Sequence, residues 1–162
     1  MKTLLKLCFI LTLIFSIINT VNAQNKKADK TNEIKQLVNS QKYIFKAAYM
    51  YPSYGGQKYL STDYDLYVGR DTVKAYLPYY GVAYFGVGYN TDDNGIKFTS
   101  TDFDYTVKDK KKGSWYIVIK PKDIHNTNQL ILNISPNGYA DLTVISNNRQ
   151  RIRFDGNIIA KN

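Results

Sequence analysis

From Tyr43 to Ile158 the chain keeps a period of two, interrupted by turn signals at spacings of about 8–12 residues. Tyr43, Phe45, Ala47, Tyr49 and Tyr51 alternate with Ile44, Lys46, Ala48 and Met50. Leu60, Thr62, Tyr64, Leu66 and Val68 then alternate with Ser61, Asp63, Asp65 and Tyr67, and Val73, Ala75 and Leu77 repeat the pattern. Further along, Ile96, Phe98 and Ser100 hold one parity and Phe103, Tyr105 and Val107 the other, so a bulge or break is expected near Ser100–Asp102. Trp115, Ile117, Ile119; Leu130, Leu132, Ile134; Ala140, Leu142, Val144; and Ile152, Phe154 complete the inward sets. Successive side chains on a strand point to opposite faces, so this pattern builds sheets with one buried side. Pro52 to Gly56, Gly69 to Asp71, Asp92 to Gly95, Asp109 to Ser114, Pro121 to Asn128, Ser135 to Gly138 and Asn147–Asn148 supply the turns. The expectation is mainly β: eight or nine antiparallel strands in a meander that closes into a barrel or, alternatively, folds into a sandwich. The barrel is preferred because closure removes exposed edges.

Ahead of the strands, Lys2 and Lys6 precede the apolar run Leu7 to Ile18, and Val21-Asn22-Ala23 offers a small-residue cleavage site. Residues 1–23 read as a signal peptide, too short in apolar length for a span of roughly 20 residues. Residues 24–30 form a polar, flexible stretch. In 31–40, Ile34, Leu37 and Val38 fall on one helical face, and Asp29 or Thr31 can cap. Residues 31–162 are thus expected to form one domain, exported to the periplasm or the cell exterior. The lone Cys8 lies within the signal, so the mature chain has no disulfide to rely on. A net charge of +9 is read here as solubility or an affinity for anionic glycans, lipid head groups or the cell surface, not for nucleic acid.

Ser61-Thr-Asp-Tyr-Asp-Leu-Tyr-Val68, Thr72-Val-Lys-Ala-Tyr-Leu-Pro-Tyr-Tyr-Gly-Val-Ala-Tyr84, Gly95-Ile-Lys-Phe98, Ser135-Pro-Asn-Gly-Tyr-Ala-Asp-Leu142 and Ser146-Asn-Asn-Arg-Gln150 follow one another in an order that resembles the domain-of-unknown-function family 4251. The likeness runs from about Glu33 to Ile158. It implies a small exported bacterial β-rich domain behind a short helix. No activity and no site residues come with it, and the run after Tyr84 is short for the family.

Chemistry must therefore be read from the residues. His125 is the only histidine, in a polar loop with neither a nucleophile elbow nor a cysteine to partner it. Asp63/Asp65 and Asp102/Asp104 are spaced as glycosidase carboxyl pairs could be, yet each also reads as a solvated strand face. Asp92-Asp93-Asn94 lacks the calcium-loop ligand series, and no His/Cys/carboxylate cluster suggests zinc. No enzyme, cofactor or metal is expected. Fifteen tyrosines are the distinctive resource. Those beside Pro78 and the glycines 81, 86 and 88 leave the regular alternation, which makes Tyr76, Tyr79, Tyr80, Tyr84, Phe85 and Tyr89 the candidate contacts for a glycan, peptide or apolar ligand. Arg149, Arg151 and Arg153 share a parity. They can grip an anionic partner, as a structural or accessory envelope protein would, or guard an edge strand.

Overall fold

The computed structural model describes residues 28–61, 63–82 and 95–161. The stretch 1–23 read as a signal peptide, Tyr84, Phe85, Tyr89 and nearly all of the hairpin expected at Asp92–Gly95 lie outside them. A helix α1 spans residues 28–40, starting three residues before the expected 31. Among the described residues ten strands follow: β1 (Tyr43–Tyr51), β2 (Lys58–Tyr59), β3 (Asp65–Val68), β4 (Val73–Leu77), β5 (Ile96–Ser100), β6 (Phe103–Lys110), β7 (Ser114–Pro121), β8 (Thr127–Ile134), β9 (Tyr139–Ser146) and β10 (Ile152–Ala160). They form one antiparallel sheet in the order β5-β4-β3-β1-β10-β9-β8-β7-β6, with the two-residue β2 added on β1. The result is a nearly closed barrel of nine strands.

The two ends of that order, β5 and β6, are consecutive in sequence, with only Thr101 and Asp102 between them. Every neighbouring pair is antiparallel, so β5 and β6 run in the same direction. They are two halves of one bent strand, whose first half pairs with β4 and whose second half pairs with β7. The break stands where the sequence changes parity. Asp123, from the β7–β8 loop, holds it in place: one carboxylate oxygen accepts from Ser100 Oγ at 2.5 Å. The other accepts from the backbone N–H groups of Thr101 (2.8 Å) and Asp102 (3.3 Å).

A second irregularity lies on β1, whose register on β10 shifts between Ala47 and Tyr49. Tyr43, Phe45 and Ala47 face the core, but Met50 replaces Tyr49 and Tyr51 as the inward residue beyond the bulge. Uninterrupted alternation from Tyr43 to Tyr51 is thereby corrected: the extra residue turns both tyrosines outward. Gly156 permits the close approach, since a Cβ there would stand 1.9 Å from the Lys46 carbonyl oxygen. The expected second strand is likewise divided, into β2 and β3. Leu66 and Val68 are buried as expected, while Leu60 and Tyr64 are only partly covered.

Inside the barrel, Phe45, Leu66, Ile117, Ile119, Leu130, Leu132, Leu142 and Phe154 are fully buried. Helix α1 closes one end by burying Ile34 and Val38, each of which contributes about 2 kcal/mol. It can sit there because Gly138, at φ +89°, presents bare backbone to Ile34 Cδ1. Arg70 Nε donates to the Ser40 carbonyl (3.2 Å), placing a cation at the helix C-terminus. At the same end, the hydroxyls of buried Tyr43 on β1 and Tyr105 on β6 meet at 3.2 Å.

Candidate functional site

Outward-facing tyrosines gather around the segment that links β2 to β3. Tyr49 and Tyr59 are opposite residues on β1 and β2, and their rings meet edge to face with centroids 5.6 Å apart. Tyr64 stacks on Tyr76 of β4 at 5.4 Å and 25°. Between these two pairs the chain hugs β1: Leu60 N donates to the Ala48 carbonyl and Ala47 N to the Tyr64 carbonyl, both at 2.9 Å. Lysines lie over ring faces, with Lys97 Nζ 5.4 Å from the Tyr76 centroid and Lys58 Nζ 4.3 Å from that of Tyr80. Exposure nonetheless remains at 39% for Tyr49, 71% for Tyr59, 45% for Tyr76 and 61% for Tyr80.

Of the described members of the expected cluster, the structure thus presents Tyr76 and Tyr80 to solvent and turns Tyr79 away. Tyr79 is half-buried. Its hydroxyl lies 3.0 Å from the Val82 carbonyl and 3.1 Å from that of Gln150, and the Arg149 guanidinium covers its ring at 4.8 Å. Tyr79 ties the β4–β5 connection to the β9–β10 turn. Tyr49 and Tyr59 were missed because the bulge and the short β2 that aim them are set by pairing with distant strands, whereas Tyr64 packs partly on the core as its parity predicts.

The three arginines divide. Arg149 precedes β10, reaching the Gly95 carbonyl at 3.2 Å through Nη1. Arg151 and Arg153 instead line an open concavity of ≈ 620 Å³ with Tyr51, Pro52, Ser53, Thr143 and Ile152. A shared strand face for all three is therefore corrected, and so is the edge-guard reading. β10 lies between β1 and β9, where it has no edge to guard. The lysines of 108–112 sit elsewhere, since the β6–β7 hairpin abuts the β8–β9 turn, with Pro136 Cγ 3.7 Å from where a Gly113 Cβ would be. That turn is at the opposite end of β9 from Arg151.

Each carboxyl pair is held by a lysine. Lys46 Nζ lies 3.0 Å from Asp65 and 3.6 Å from Asp63. Lys122 Nζ lies 2.6 Å from Asp104 and 4.0 Å from Asp102. Hydrogen bonds to Asp65 and Asp104 respectively push both ammonium groups above the ordinary lysine value. His125 is exposed, and its carbonyl accepts from Asn147 Nδ2 at 2.7 Å. Among the described residues no group of three His, Cys, Asp or Glu is placed to hold a metal ion, and no helix is long and apolar enough to cross a membrane.

The family model for Domain of unknown function (DUF4251) matches residues 25–158. The crystal structure of a DUF4251 family protein from Bacteroides eggerthii DSM 20697 is similar in fold, with a TM-score of 0.61 at 16% identity, covering 85% of this chain and 91% of that one. No curated protein matches. Nearly the whole strand region falls within the family match, so this chain belongs to the DUF4251 family, whose fold it shares and to which no activity is assigned.

Proposed function

We propose that this chain is an exported, non-catalytic binding module that takes a glycan on its tyrosine face. The observation that carries the reading is the outward display of Tyr49, Tyr59, Tyr76 and Tyr80 in ring–ring and lysine–ring contacts that hold them while leaving them exposed. Tyrosine combines a flat apolar face with a polar tip, which suits stacking against the C–H face of a pyranose with hydrogen bonding at its rim. Exposed aromatics that are already ordered lose little side-chain entropy on binding. Export follows from the basic, apolar and small-residue pattern of residues 1–23, and places the module where extracellular or periplasmic glycans are found. Both carboxyl pairs are engaged by lysines, an arrangement that favours binding over acid–base chemistry.

The test is affinity electrophoresis against soluble mannan, xylan and pectate, comparing the parent with Tyr59→Ala and Tyr76→Ala. Each substitution is expected to weaken retention about tenfold, or about 1.4 kcal/mol. A parent protein retained by none of the three, or variants retained equally well, would remove the glycan reading.

A further inference from the structure

We infer that the concavity between the β1–β2 turn and the start of β10 is a carboxylate-binding site, with Arg151 as its cation and Thr143 as a flanking hydroxyl. This site does not depend on the glycan reading of the tyrosine face. Its walls are built before any ligand arrives. Pro52 stiffens the turn, and Ser53 Oγ donates to the Arg151 carbonyl at 3.3 Å, pinning that turn to the approach to β10. Arg153 Cζ lies over the Tyr51 ring, 4.2 Å from its centroid, and the Arg153 Nε is 3.4 Å from Asp155. One guanidinium of the two is therefore already matched.

Arg151 differs. It is exposed, lines the same concavity, and has no ion pair or hydrogen bond from its side chain among the described residues. Thr143 stands opposite Arg153 on β9 and also lines the concavity, its hydroxyl engaged by no described group. The carboxylates nearest along the strands, Asp155 and Asp141, face each other two pairs beyond Arg153 and Thr143, and Asn133 Nδ2 donates to Asp141 at 2.8 Å. Arg151 is the one cation lining the concavity with no carboxylate partner among the described residues, and a single guanidinium matches a monoanion better than the dianionic form of phosphate. A planar guanidinium fork suits a carboxylate in geometry as well as charge. The volume, ≈ 620 Å³, lies in the range of small-molecule sites and accepts one carboxylated ring or a short acidic segment.

The experiment is a ¹H–¹⁵N titration of the protein with glucuronate, with glucose as the uncharged match and inorganic phosphate and sodium chloride as controls. Saturable movement of the Arg151 Nε–H and Thr143 resonances is expected with glucuronate and not with glucose. Arg151→Gln, at an exposed position outside any ion pair among the described residues, should abolish the response with the remaining spectrum unchanged. Tyr59→Ala should leave the response intact, so this site and the tyrosine face are judged separately. Equal movement with glucose or chloride, a tighter response to phosphate than to glucuronate, or a response retained in Arg151→Gln would overturn the assignment.

Discussion

Gly156 decides which tyrosines this protein shows to solvent. Its missing side chain lets the Lys46 carbonyl approach, the β1 bulge forms there, and Tyr49 and Tyr51 leave the core parity. Gly156→Ala would drive a Cβ into backbone rather than into the end of a flexible side chain, so relaxation must move a strand. Chemical denaturation should show a loss of about 3 kcal/mol. Unchanged stability would mean that the bulge relaxes freely and does not set the outer face. Tyr79 carries the complementary lesson. It belongs to the same sequence cluster as Tyr76 and Tyr80, but its hydroxyl is spent on backbone carbonyls of two loops, and so it is structural.

Among the elements, the bent strand β5/β6 governs closure, and Asp123 governs the bend. The Ser100 hydroxyl first, and then the Thr101 amide, hold the Asp123 carboxyl below its ordinary value of 3.8. A depressed folded-state value contributes stability that is present above the ordinary value and lost as pH falls below it. Asp123→Asn should therefore lower the thermal midpoint at neutral pH and flatten the acid limb of the stability curve. If the variant kept the parent's acid limb, the bend would be held by its ladders alone. Among the described residues the same bend leaves the strand with one unpaired side in each half, and lysines 108, 110, 111 and 112 cluster at the exposed end of β6. That is where an edge guard is needed, in place of the arginines of β10.

At the scale of the molecule, the first and last strands of the sheet's sequence pair with each other and the middle strand bends, so the meander returns on itself. The Tyr43–Tyr105 hydroxyl pair bridges this ring beneath helix α1. Burial raises both groups, Tyr105 to about 12 and Tyr43 well above the ordinary tyrosine value of 10.0. The unfolded chain ionises these phenols first, so their contribution is fully present below pH 10.0 and is lost as pH rises toward about 12. Circular dichroism with tyrosinate absorbance should show cooperative unfolding in that window. Tyr105→Phe should make the alkaline loss less steep while costing about 1–2 kcal/mol at neutral pH, because the buried Tyr43 hydroxyl is left alone. Tyrosinate appearing at pH 10 without loss of structure would show the pair to be open to solvent.

How far the sequence reached follows from the range of the forces involved. Alternation and turn chemistry are local, and they sufficed for the antiparallel strands, the helix beneath them and the break at Ser100–Asp102, because each residue's face is set by its neighbours two positions away. The family likeness was also legible, since it lies in the order of short motifs. Partnership across the ring was not. That β10 pairs with β1 at Phe154 and Met50, that Asp123 returns to Ser100, and that Arg153 meets Tyr51 and Thr143 are contacts between distant positions, selected by which closure buries the whole core at once. The sequence alone determined a β meander rich in tyrosine. Only the tertiary structure decided which rings and which arginine face outward, because one bulge reverses the parity of every residue beyond it and one closure fixes which strands are edges.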